Sequence, residues 1–132
     1  MADVDRRVRK TQKHLRDALV ELVLERGDID AAAALYRTAG AWRELAALAR
    51  DASMQLIGEG RHDTLREWID SLPSDVREGE PALVYALGLT HVYGKPSRAK
   101  ALLARAHHAF AAAGDTRHAM LAAAGTIDCH YL

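Results

Sequence analysis

The sequence contains almost no cysteine. Of its 132 residues only one is a cysteine, Cys129, which cannot form an internal disulfide or supply a zinc cluster alone. Aromatic residues make up only 5% of the chain, so the aromatic enrichment typical of strands is missing. Prolines number three. Alanine, by contrast, supplies 26 positions, and this bias favours closely packed helices.

An excess of one charge sign and a long apolar run are also missing. Lys+Arg and Asp+Glu both number 18, whereas a dedicated nucleic-acid or membrane-surface domain usually carries a strong basic excess. No run of about 18 apolar residues is present, so the sequence predicts no membrane span. Residues 1–13 are charged where a secretory signal needs an apolar core, and this predicts a cytoplasmic protein.

Three glycines recur at nearly equal intervals along the chain. Gly27, Gly60 and Gly94 are 33 and 34 residues apart, a spacing typical of helix-turn-helix repeats. Apolar residues between them recur every three or four positions, and no stretch alternates as a half-buried strand does. The sequence therefore predicts an all-α fold of about seven helices and no sheet, with antiparallel helix pairs stacked as a tetratricopeptide-like right-handed superhelix. It predicts a single domain, 1–132, divided into units at about 5–40, 41–73, 81–113 and a half unit at 115–132.

Local signals predict where several helices begin and end. Asp28 is a candidate N-cap for a helix over residues 29–39, which Gly40 ends. Asp115 is a candidate cap for the last helix. The segment 73–81 contains two prolines and Gly79, which predicts a bent, solvated loop.

Residues 60–73, Gly-Arg-His-Asp-Thr-Leu-Arg-Glu-Trp-Ile-Asp-Ser-Leu-Pro, have a family resemblance. They resemble the Leu-x-x-Trp-hydrophobic-x-x-Leu-Pro element in the helical repeats of MalT-type regulators of the LuxR superfamily. The later Phe-Ala-Ala-Ala-Gly-Asp turn at 110–115 is similar to that family's Phe-x-x-x-Gly-Asp turn, and the likeness spans about 29–132. It implies a bacterial tetratricopeptide-like superhelix that senses a small inducer or a partner protein in transcription regulation. The chain has no phosphate-loop motif, so the family's nucleotide switching is not carried over.

The amino-terminal segment 5–27 is similar to the first helix of TetR-type repressors. That likeness implies an alternative function in which basic side chains contact DNA phosphates: Arg6, Arg7, Arg9, Lys10 and Lys13. The next residues, Asp-Ile-Asp and an alanine block, provide no obvious base-reading face. A solvated helix end explains the basic cluster as well, and nucleic acid is the less favoured partner.

In a stacked superhelix, the first helix of each pair lines the concave surface. Polar residues that interrupt the first-helix stripes therefore predict a ligand or partner groove made of Asp51, Gln55, Tyr85, Thr90 and His91. The seven histidines show no metal-ligand spacing, and no nucleophile motif is present, so we expect no enzyme activity, metal or cofactor.

These patterns favour a binding module for a protein partner or a small inducer, with a purely structural interaction scaffold as a further alternative. The last helix has no following helix to cover its apolar residues. The sequence therefore predicts a homo-oligomer formed through Met120, Leu121, Ile127 and Leu132.

Overall fold

A computed structural model describes residues 2–25 and 27–131, except for the side chains of residues 2, 3, 130 and 131. The prediction of an all-α fold is confirmed, because the described residues contain helices and turns and no strand. The helices are α1 (Ala2–Glu25), α2 (Ile29–Ala39), α3 (Trp42–Gly58), α4 (His62–Ser71), α5 (Ser74–Glu78), α6 (Pro81–His91), α7 (Pro96–Ala112) and α8 (Thr116–Tyr131). The right-handed superhelix stays a prediction.

The helix ends follow the predicted capping residues. The Asp28 carboxylate accepts a hydrogen bond from the Ala31 amide at 3.0 Å, which caps α2 at its start. Gly40 ends α2 in the left-handed conformation with φ 66°, a region that glycine enters without steric cost. The Asp115 carboxylate accepts from the His118 amide at 3.2 Å, so it caps α8 as expected.

The segment 73–81 is not the bent loop that the sequence predicts, because it contains the short helix α5. The two prolines occupy helix starts: Pro73 is the N-cap of α5 and Pro81 is among the first residues of α6. Gly79 ends α5 by donating its amide to the Asp75 carbonyl at 3.1 Å. This helix raises the number in the described residues to eight, against about seven predicted.

Contacts group the chain into two compact units, Met1–Ala41 and Trp42–Leu132. Unit 1 contains α1 and α2, which contact each other, and its buried residues include Val20 of α1 and Ala32 and Ala33 of α2. Unit 2 contains α3 to α8, and its largest fully buried side chains are Leu45, Leu56, Leu65, Ile69, Leu83 and Leu103. None of the described helices is long and apolar enough to cross a membrane.

Two glycines of unit 2 lie against the side chain of one buried leucine on a neighbouring helix. Leu103 of α7 has no exposed surface, and a Cβ at Gly88 of α6 would lie 2.9 Å from its Cγ and Cδ2. On α8, a Cβ at Gly125 would lie 3.0 Å from the Leu103 Cδ1. The absence of a side chain at both positions therefore lets α6 and α8 approach Leu103 closely.

We expect Gly88→Ala to lower the free energy of unfolding by about 1–2 kcal/mol. The added methyl overlaps Leu103, and that overpacking outweighs the gain of about 1 kcal/mol in helix propensity. Urea denaturation followed by circular dichroism measures the change. The matched control is Gly58→Ala in α3, where a new Cβ meets no atom within 4 Å and no loss is expected. Equal stability of the Gly88→Ala variant and the wild type would show that Leu103 has room to move.

Candidate functional site

Two of the five predicted groove residues lie in the core of unit 2. Thr90 and His91 are only 3% and 8% exposed, so the expectation that they line an open groove is wrong. The reason is that α6 is buried on several sides, and α3, α4, α5 and α7 all pack against it. The Thr90 hydroxyl donates to the Leu87 carbonyl at 2.6 Å and accepts from the Arg66 Nε at 3.1 Å. Its role is thus to anchor α4 to the end of α6.

The other three predicted groove residues are more accessible, and the contacts given for them join none of the five to another. Asp51 is exposed with its carboxylate 3.4 Å from the Arg50 Nε, and the Gln55 amide donates to Glu59 at 3.1 Å. Tyr85 is half-buried against Phe110, with ring centroids 6.5 Å apart in an edge-on arrangement, and burial raises the pKa of its phenol. The five predicted residues therefore do not form one open binding surface.

His91 lies among cations that the sequence pattern did not reveal. Burial lowers the pKa of the His91 imidazole, and the charges of Arg66, Arg98 and Lys95 lower it further. Asp70 acts in the opposite direction and does not reverse the shift. Arg66 of α4 and two cations at the start of α7 thus create a positive local field around His91.

Three arginines line a cavity of about 150 Å³ in unit 2, which we call the arginine pocket. Helix α5 supplies Arg77, while Arg98 and Arg105 come from α7. The remaining lining is Asp70, Glu78 and the buried apolar residues Val84, Leu87 and Leu102. Arg98 and Arg105 are seven residues apart, two helical turns, and therefore share a face of α7. That spacing could have suggested the pair, whereas Arg77 lies in a segment predicted to be a loop.

The arginine pocket carries one more positive than negative charge. Arg105 forms an ion pair with Glu78, and this hydrogen-bonded contact lowers the pKa of the Glu78 carboxyl, with a smaller contribution from Arg77. Asp70 is the second acidic residue, so the pocket is lined by three guanidinium groups and two carboxylates. Guanidinium groups bind carboxylate and phosphate with paired hydrogen bonds, so the pocket is suited to one further anionic group.

The basic residues named for the DNA-binding alternative lie on α1 in unit 1. Arg6, Arg7, Arg9, Lys10 and Lys13 are all exposed. Arg9 donates its Nε to the Asp5 carbonyl at 3.3 Å, and Arg9 and Lys13 also line a groove of about 560 Å³ beside α2. Contact with phosphates requires exposed side chains, but a solvated helix end has exposed side chains as well. Nucleic-acid binding therefore stays a prediction.

The apolar residues named for self-association lie on α8. Met120, Leu121 and Ile127 are exposed, and Leu132 lies outside the described residues. Self-association through this helix stays a prediction.

Comparisons with known proteins do not add a function. The chain has no significant match among protein-family models, curated proteins or solved structures. The resemblances to MalT-type and TetR-type regulators therefore stay predictions that rest on the quoted residues. Within the part of the chain that the structure describes, no three His, Cys, Asp or Glu side chains converge as a metal site requires.

We expect His91 to make stability depend on pH. Because the folded state lowers the pKa of His91, the unfolded chain binds a proton more readily, so stability falls as pH drops through the range of ordinary histidines. Urea denaturation at about pH 7.5 and about pH 5.5 measures the difference in the free energy of unfolding between the two pH values. This difference should be smaller in His91→Gln. His108→Gln, at an exposed position of α7, is the control and should keep the difference. An unchanged difference in His91→Gln would contradict the assignment.

Proposed function

We propose that the chain is a non-catalytic binding module whose unit 2 recognises a small molecule bearing a carboxylate or phosphate group. The observation that supports this function most directly is the arginine pocket, which arginines from α5 and α7 line together with buried apolar residues. Small-molecule sites commonly combine apolar walls with a few well-placed polar groups. The proposed ligand class follows from the excess of positive charge in this pocket.

The size of the pocket limits what enters it. Its volume of about 150 Å³ is below the roughly 300–1,000 Å³ of sites that enclose a drug-sized ligand. A single carboxylate or phosphate group fits this volume, and the rest of the molecule would remain outside. Val84, Leu87 and Leu102 would exclude water from one side of the anion, which strengthens its attraction to the guanidinium groups.

The ion pair between Arg105 and Glu78 would orient one guanidinium group of the proposed site. It fixes one guanidinium group before a ligand arrives, which reduces the entropy lost on binding. Arg77 and Arg98 would then supply the remaining donors. The resemblance of residues 29–132 to the sensor repeats of MalT-type regulators supports the same kind of role, with the anion acting as an inducer.

Thermal unfolding with added anions tests the proposal. We expect inorganic phosphate or succinate to raise the unfolding midpoint of the wild type above that in equal ionic strength of sodium chloride, because a ligand of the folded state stabilises it. In Arg98→Gln the anion should bind about tenfold more weakly or worse, since one charged hydrogen-bond donor is lost.

Lys100→Gln is the matched control for Arg98→Gln. It removes one positive charge from the same helix at an exposed position that does not line the arginine pocket, so the anion effect should persist. Equal loss in both variants would indicate general charge screening and contradict a site. Salt-sensitive stabilisation by duplex DNA, removed by neutralising Arg6 and Lys10, would instead favour the nucleic-acid alternative.

A further inference from the structure

An aliphatic stripe on α1 is left uncovered in unit 1. Its members are between 47% and 67% exposed: Val4, Val8, Leu15, Leu19 and Leu22. Helix α2 packs against a different side of α1, where Val20 is only 3% exposed. At 11 residues α2 is also about 16 Å long, against about 36 Å for the 24 residues of α1.

The stripe has the spacing of a two-helix seam. Val8, Leu15 and Leu22 are seven residues apart, and so are Val4, Thr11 and Ala18, which makes the two sets the a and d positions of successive heptads. Leu19 lies at the edge of the same face.

Thr11 is the one polar member of this seam, and its hydroxyl is already bonded. It donates to the Arg7 carbonyl within the helix at 2.9 Å. Burial of Thr11 against another helix would therefore leave no unsatisfied hydroxyl donor. The seam can be covered without the penalty that a buried polar group usually carries.

The charges along α1 identify what can cover the seam. Residues 2–13 of α1 contain five basic and two acidic residues, and residues 14–25 contain one basic residue, Arg16, and three acidic ones, Asp17, Glu21 and Glu25. The first half is therefore net positive and the second half net negative. A second copy of α1 in the opposite direction places the basic part of each helix beside the acidic part of the other. A parallel copy would place the two basic parts side by side, where like charges repel.

The heptad positions beside the seam support the same orientation. Arg7, His14 and Glu21 are seven residues apart and occupy the g positions, which face each other in an antiparallel pair. Arg7 then meets Glu21 of the second copy, and two-fold symmetry produces this ion pair twice. Both residues are exposed in the single chain and therefore accessible to a partner.

We propose that α1 is a dimerisation helix that pairs antiparallel with α1 of a second copy of this chain. In the register that places Arg7 beside Glu21 of the second copy, each layer of the seam pairs two side chains of different size. The layers pair Val4 with Leu22, Val8 with Ala18 and Leu15 with Thr11 of the second copy.

Analytical ultracentrifugation of the full chain tests this dimer, with a charge-swap series as the decisive step. We expect Arg7→Glu and Glu21→Arg each to raise the dimer dissociation constant about tenfold, because each replaces two attractive contacts with repulsive ones. The double variant Arg7→Glu/Glu21→Arg restores opposite charges and should return the constant to within about threefold of the wild type. Failure of the double variant to recover would overturn the antiparallel register.

Leu15→Lys and Met120→Lys are matched variants that locate the interface. Both residues are 67% exposed, one in the α1 stripe and the other on α8. Leu15→Lys should dissociate the dimer and Met120→Lys should leave it intact, while both keep the wild-type circular dichroism spectrum. A wild type that stays monomeric at hundreds of micromolar, or a dimer that only Met120→Lys dissociates, would overturn the proposal.

Discussion

The close approach of α6 and α8 to Leu103 is the constraint on which the arrangement of the last three helices depends. Leu103 is completely buried, and Gly88 and Gly125 lie against it where any side chain would overlap or crowd its atoms. A well-packed interior has little free volume to absorb an added methyl group. Here two glycines, which weaken helices by their intrinsic propensity, are favoured because packing outweighs propensity.

This packing also determines where the arginine pocket forms. Leu102 precedes Leu103 on α7, and a Cβ at Gly88 would lie 3.4 Å from the Leu102 Cβ, so the same close contact brings both leucines against α6. Arg98 and Arg105 lie one turn on either side of Leu102, on the face of α7 that lines the pocket. The distance between α6 and α7 therefore controls how near these guanidinium groups stand to Val84 and Leu87.

Local signals were sufficient for the helix caps and insufficient for helix α5 and for the site. Asp28, Gly40 and Asp115 act within one helical turn, so their roles as caps were predictable from sequence. Thr90 and His91 interrupt an apolar stripe, but periodicity shows only that one side of a helix is apolar and not how many neighbours cover it. Four other helices pack against α6, the helix on which both residues lie. The arginine pocket likewise combines α4 to α7, including a helix, α5, that the prolines suggested was a loop.

Unit 2 buries its large apolar side chains between several helices, whereas unit 1 leaves an apolar stripe of α1 exposed. Two helices can bury only one side of each other, so a 24-residue helix beside an 11-residue helix must leave apolar surface in water or find another partner. The division of charge along α1 makes an antiparallel copy of itself a complementary partner. The residues of that seam all lie in unit 1, and those of the arginine pocket all lie in unit 2. Loss of the dimer would therefore leave the anion site with every one of its lining residues, so the two proposed properties can be separated experimentally.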